Sequence, residues 1–229
     1  MGSKVETLLN ITVEKIYDDV VVTASVSNLQ DGAHYNVTSY LPKYIHVNKD
    51  ELKISSTFSE SAKFSLGSIN FDTLDRCIII VKEKMHEKYM NCINAVLVKV
   101  ASDIKQSISK IDAAIKNKDM SNAVNIKVNE TKDGTVVTAS IPNAQYDAYY
   151  IISECLPKYI RINKEAFKIN SAFRKSVKLR DTGVSLDKCV NILRDNMIGQ
   201  YIKALNDAES KFKIDTMDII GVAEIVRNK

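Results

Sequence analysis

Apolar and polar residues alternate along Val22, Thr23, Ala24, Ser25 and Val26, the period-two pattern of a strand with one face toward a core and the other toward water. This predicts a strand pair at 10–16 and 20–28 and a second pair at 125–131 and 135–142. The second pair is joined by Lys132-Asp133-Gly134, a hairpin signal because glycine accepts the positive φ of a tight turn. Further strands are expected at 34–41, 43–48 and 52–56, with partners at 149–156, 158–163 and 167–171. Between them, Asn48-Lys49-Asp50-Glu51 and Asn163-Lys164-Glu165 read as turns or as the opening of a short helical turn.

The period then lengthens to about 3.6, the repeat of a helix. Leu74, Cys77, Ile78, Val81, Met85, Tyr89 and Ile93 form one apolar stripe, and Leu186, Cys189, Val190, Leu193, Met197, Tyr201 and Leu205 form another. Asp72 and Ser185 are the expected helix caps, each with an oxygen able to accept from unsatisfied backbone N–H groups. The first stripe runs on through Leu97, Val100, Ile104, Ile108, Ile111 and Ile115, which predicts a helix of about 40 residues, more than one small sheet can cover. Its surplus is expected to pack across the other half of the chain or against another subunit. In the second half, a break near Lys211-Phe212-Lys213 is expected to precede a short terminal helix carrying Met217, Ile220, Ala223 and Val226.

These two halves are copies. At an offset of 115 residues, Val21-Val22-Thr23-Ala24-Ser25 falls on Val136-Val137-Thr138-Ala139-Ser140, Asn28 on Asn143, and Leu41-Pro42-Lys43-Tyr44-Ile45 on Leu156-Pro157-Lys158-Tyr159-Ile160. After a three-residue difference, Leu74-Asp75-Arg76-Cys77 falls on Leu186-Asp187-Lys188-Cys189 at an offset of 112. The expected fold is therefore α+β: tandem duplicated ββββα units, antiparallel sheets each covered by a long helix, in a pseudo-twofold body. Repeat one spans 5–116 and repeat two 123–229, with Asn117-Lys118-Asp119-Met120-Ser121-Asn122 as the linker.

Composition narrows the chemistry. With 45 % hydrophobic and 26 % charged residues the chain can bury a core. It has no run of roughly 18 apolar residues, and Met1-Gly2-Ser3-Lys4 lacks the apolar stretch of a secretory signal. Four cysteines without a CxxC pair and three scattered histidines give no zinc pattern. Cytoplasmic or nuclear residence in a reducing compartment is the expectation, with no membrane partner. Walker, GxGxxG, GxSxG and HExxH motifs are absent, so a non-enzymatic protein without cofactor or metal is expected.

Charge separates the copies. Residues 158–180 carry Lys158, Arg161, Lys164, Lys168, Arg174, Lys175, Lys178 and Arg180 against Glu165 alone, whereas 43–65 carry Lys43, Lys49, Lys53 and Lys63 against Asp50, Glu51 and Glu60. Strand alternation places Tyr159 and Arg161 on one face and Ile160 and Ile162 on the other, with Tyr44 and His46 at the matching outer positions of copy one. Rings beside cations on an exposed sheet suit single-stranded nucleic acid, because bases stack on rings while Lys and Arg neutralise phosphates. The candidate contacts are Lys158, Tyr159, Arg161, Lys164, Lys168, Arg174, Lys175 and Lys178, with Lys43, Tyr44 and His46.

The duplicated order of strands followed by a helix resembles the Whirly, PUR and PC4-like proteins that bind single-stranded nucleic acid. The resemblance lies in element order across nearly the whole chain; the Lys-Gly-Lys-Ala-Ala-Leu run of plant Whirly proteins has no counterpart, so no family residue is carried over. It implies binding of single-stranded DNA or RNA along sheet faces, self-association through helices into a homo-oligomer, and a role in replication, transcription or recombination, in a virus or mobile element among other settings. The competing expectations are a non-enzymatic oligomeric protein-interaction protein and a clamp-like processivity factor.

Overall fold

A computed structural model describes residues 9–52, 54, 57–65, 71–120, 122–169, 173–179 and 184–228. The chain divides into two compact units, Met1–Ser102 with Asp218–Lys229, and Asp103–Met217. It is mixed α+β: among the described residues each copy runs strand, strand, helix, short strand, 3-10 turn, strand, helix, the second with an extra 3-10 turn before its first helix and a further helix at its end.

In the first unit, β1 (Leu9–Ile16) and β2 (Asp19–Ser27) form the expected hairpin. Helix α1 (Leu29–Thr38), strand β3 (Ile45–Val47), a 3-10 turn at Lys49–Leu52 and strand β4 (Thr57–Ser65) follow. β4 closes an antiparallel sheet of order β1-β2-β4. Helix α2 (Phe71–Lys116) covers one face of it. Val20, Val22, Ala24 and Val26 pack there against Cys77, Val81 and Met85. These residues are at most 7 % exposed, so burying them supplies the main drive for the layer.

The second unit repeats the layout with β5 (Asn125–Thr131), β6 (Gly134–Ser140), a 3-10 turn at Ala144–Tyr146, α3 (Asp147–Cys155), β7 (Ile160–Ile162), a 3-10 turn at Lys164–Phe167, β8 (Arg174–Leu179) and α4 (Leu186–Asp215). Its sheet has the order β5-β6-β8. Cys189, Leu193, Met197, Tyr201 and Leu205 are the buried stripe of α4, as the spacing predicted. The Ser185 side chain caps that helix by accepting from the Lys188 N–H at 3.3 Å.

Four expectations are corrected. Residues 34–41 and 149–156 are not strands: most of each lies in α1 or α3, whose buried residues Leu29, Ala33 and Val37, or Ala148 and Ile152, recur at a spacing of four. The chain enters these segments through Asn28 (φ 71°) and Asn143 (φ 62°), left-handed positions that asparagine tolerates, and neither residue makes a side-chain cap. The last strand of each copy lies later than 52–56 and 167–171, because Leu52 and Phe167 end 3-10 turns with their side chains buried. Asp72 stands one residue inside α2. The break expected at 211–213 lies at Thr216, whose hydroxyl donates to the Phe212 carbonyl at 2.8 Å, while Phe212 is fully buried within α4. Lys53, Arg180 and residues 55–56 and 170–171 lie outside the described residues.

Helix α2 reaches 46 residues, and its surplus is accounted for: from Asp103 on it belongs to the second unit. Helix α5 (Met217–Arg227) belongs from Asp218 on to the first unit.

Candidate nucleic-acid interface

Directly paired residues of neighbouring strands point to the same face of a sheet, so the register fixes what each face presents. In the second unit the face away from α4 consists of the rows Asn125–Ser140–Arg174, Lys127–Thr138–Ser176 and Asn129–Val136–Lys178. Thr138 and Ser176 hydroxyls meet at 2.8 Å in its centre, and Lys127, Arg174 and Lys178 are exposed around them. Lys178 lies 3.6 Å from Asp133 in the hairpin turn. Among the described residues no acidic partner is recorded for Lys127 or Arg174.

The first unit builds the same lattice with different charge. Its outward rows are Asn10–Ser25–Ser59, Thr12–Thr23–Ser61 and Glu14–Val21–Lys63, again with a central hydroxyl pair, Thr23 and Ser61, at 2.8 Å. Lys63 is ion-paired with Asp19 at 2.6 Å. Three lattice positions therefore differ in the direction of positive charge: Thr12 against Lys127, Glu14 against Asn129, and Ser59 against Arg174. Lys127 escaped the sequence reading because it lies outside the dense basic run, although its period-two phase with Asn125 and Asn129 places it on the polar face.

The remaining candidates are dispersed. Lys175 lies one residue out of phase with Arg174 and faces the α4 side, where it lines a groove with Val177, Leu179, Cys189 and Asn196. Lys164 sits 3.9 Å from the centre of the Tyr146 ring and 3.3 Å from the Tyr150 hydroxyl, and Lys168 is ion-paired with Glu165 at 3.5 Å. Tyr146 donates to Glu165 at 2.9 Å. Tyr150, edge-on to Tyr149 at 5.2 Å, remains 49 % exposed, so its ring is open to a stacking partner that the sequence reading did not include. In the first unit Lys43 and His46 are exposed and Tyr44 is half-buried.

Tyr159 requires a correction. It precedes the three-residue strand β7 and is 8 % exposed, and its hydroxyl donates to the Asp103 carboxylate on α2. Burial and that carboxylate push its phenol well above the usual range. A ring fixed in this way is structural and has no free face for a base. Arg161, alternating with buried Ile160 and Ile162, is exposed as expected.

Lys158 and Arg161 line a separate groove of about 510 Å3 between α3 and β7, together with Tyr149, Ser153 and Glu154. Among the described residues no group of three or more His, Cys, Asp or Glu side chains is placed to hold a metal ion. No helix among them is long and apolar enough to cross a membrane. Comparison with protein-family models, with curated proteins and with solved structures returns no match.

Proposed function

We propose that this protein is a tandemly duplicated, non-enzymatic binder of single-stranded nucleic acid, in which the outward face of the β5-β6-β8 sheet holds the sugar-phosphate backbone. The observation that carries this reading is the difference between two copies of one lattice: Lys127, Asn129 and Arg174 stand where the other copy has Thr12, Glu14 and Ser59. A fold needs none of these cations, since the first sheet forms without them. Hydroxyl and amide groups between the cations supply further donors to phosphate oxygens. Tyr150, exposed beside Lys164, favours a strand whose bases are free to stack. Work on nucleic acid in replication, transcription or recombination, inside the cell, follows from that ligand.

The test is fluorescence anisotropy with labelled single- and double-stranded oligonucleotides at two salt concentrations. Lys127→Thr with Arg174→Ser, which gives both cationic positions the residues of the first lattice, should weaken single-strand binding and flatten its salt dependence by about 1.4 in log–log slope. Equal binding by the variant and the parent, or no binding by the parent at low salt, sinks the reading.

A second reading, an oligomeric interaction protein, is favoured by Ile80 and Ile192. These occupy matching places on α2 and α4 and are 45 % and 49 % exposed. Sedimentation showing a monomer at all concentrations, unchanged by Ile80→Asp with Ile192→Asp, would remove it.

A further inference from the structure

The groove between α3 and β7 brings opposite charges together without pairing them. Glu154, Lys158 and Arg161 all line it, and none has an ion-pair partner among the described residues. In an aqueous groove, a carboxylate and two cations that share walls and do not close on one another leave room for a molecule that bridges them. The volume of about 510 Å3 falls within the roughly 300–1,000 Å3 of small-molecule sites.

The first copy has different side chains at the equivalent place. At the positions of Tyr149, Ser153, Glu154 and Arg161 it carries His34, Thr38, Ser39 and His46. There His34 Nε2 donates to the Val47 carbonyl at 3.0 Å, tying helix α1 to strand β3, and Thr38 turns its hydroxyl back to the His34 carbonyl at 2.9 Å. Tyr149 makes no such bond to β7 among the described residues, so in the second copy this side-chain link between helix and strand is missing. The copy without this link is also the copy that carries Glu154 and Arg161.

We infer that this groove binds a phosphomonoester-bearing ribonucleotide, free or at the 5′ end of a strand. Lys158 and Arg161 supply two positive charges for a dianionic phosphate, Arg161 with the forked donors that match phosphate oxygens. Glu154 accepts from the paired hydroxyls of a ribose. The Tyr149 ring, half-buried and held edge-on by Tyr150, offers a surface to the base. The choice of ligand class rests on the nucleic-acid reading above, but the residues involved are not those of the sheet face.

The experiment is calorimetric titration of the full chain with adenosine 5′-monophosphate, its 2′-deoxy form, adenosine and inorganic phosphate. Alongside it, single-stranded oligonucleotides ending in 5′-phosphate or 5′-hydroxyl are compared by anisotropy. The monophosphate should bind, with adenosine at least about tenfold weaker, the loss expected for one charge-assisted contact. Arg161→Ala should abolish that difference, and Glu154→Gln should remove the preference for ribose while keeping the dependence on phosphate, so that a misfolded Arg161 variant does not decide the matter. A 5′-phosphate advantage places the ligand at strand ends; monophosphate binding without one makes it a free nucleotide. If the monophosphate does not bind and both oligonucleotides bind equally, the inference falls and the nucleic-acid reading stands. If nothing binds, both fall.

Discussion

Lys164 holds its ammonium 3.9 Å from the centre of the Tyr146 ring, and at the equivalent places of the first copy Lys49 is ion-paired with Asp31. One lysine position thus has two different anchors, a π face and a carboxylate. An exposed cation–π contact contributes about 0.5–1 kcal/mol and acts at short range. A surface ion pair is screened by salt. Tyr146→Ala, which also removes the hydrogen bond to Glu165, should therefore lower stability by at least about 0.5–1 kcal/mol at both low and high salt, whereas the effect of Asp31→Ala should shrink as salt is added. Urea unfolding midpoints at two ionic strengths would show the contrast, and an equal salt response would refute it.

The Tyr201 hydroxyl donates to the Asp147 carboxylate, and its counterpart Tyr89 instead lies against Gly32, where a Cβ would collide with the Tyr89 oxygen. Removing the first hydroxyl leaves a part-buried carboxylate with its donor lost, so Tyr201→Phe should cost about 1–3 kcal/mol. Gly32→Ala should destabilise through the clash, and adding Tyr89→Phe should recover stability, because alanine then contributes its helix propensity of about 1 kcal/mol over glycine. A double-mutant cycle by denaturant unfolding measures both. Additive effects at Gly32 and Tyr89 would show that the clash is relieved elsewhere.

If charge alone separates the two sheets, the binding face can be transplanted. Thr12→Lys, Glu14→Asn and Ser59→Arg together should give the first sheet the charge of the second and raise the number of oligonucleotides bound per chain from one to two. Stoichiometric titration at low salt reads this directly. A variant that stays at one would mean that the first sheet lacks something besides cations.

Glu209 on α4 has its carboxyl raised above the usual range, first by partial burial and then by the Asp112 charge on α2, with Lys213 and Lys116 opposing. Lys116 is already held by Asp112 at 2.7 Å. A carboxyl with a raised folded-state pKa contributes stability that is complete at pH below its unfolded value and is lost as pH rises through the folded one. Glu209→Gln should therefore stabilise the protein at pH 7, with the gain vanishing under acid conditions. Thermal unfolding from pH 4 to pH 8 provides the measurement, and a gain that is largest in acid would contradict the assignment.

Much of the fold was legible because two signals were strong. The alternation in 20–26 and the heptad-like run from Leu74 to Ile115 each have one physical reading, and the structure has that reading. The helices α1 and α3 were hidden for a physical reason too: they are ten and nine residues long, bury few side chains, and the left-handed asparagine before α1 and before the 3-10 turn that leads into α3 makes no side-chain cap. In the candidate site, Arg161 and Arg174 were found by charge density. Lys127 is found only through register, and Tyr159 was misplaced because its neighbour across the fold, Asp103, is 56 positions away in sequence. Tyr150 lies in a segment whose sequence reads as a strand and whose structure is helix α3.

Helix α2 spends its first part in one compact unit and its last 14 residues in the other, while residues 218–229, at the end of the second copy, belong to the first. A chain half this length, bearing only one copy, would carry a helix end with no place in its own unit. It would be completed only by exchanging that end with a second molecule. Gene duplication and fusion would then have turned a reciprocal exchange between two chains into a private arrangement within one. In a fused chain the two sheets need not be identical, and here one face carries Lys127 and Arg174 where the other carries Thr12 and Ser59.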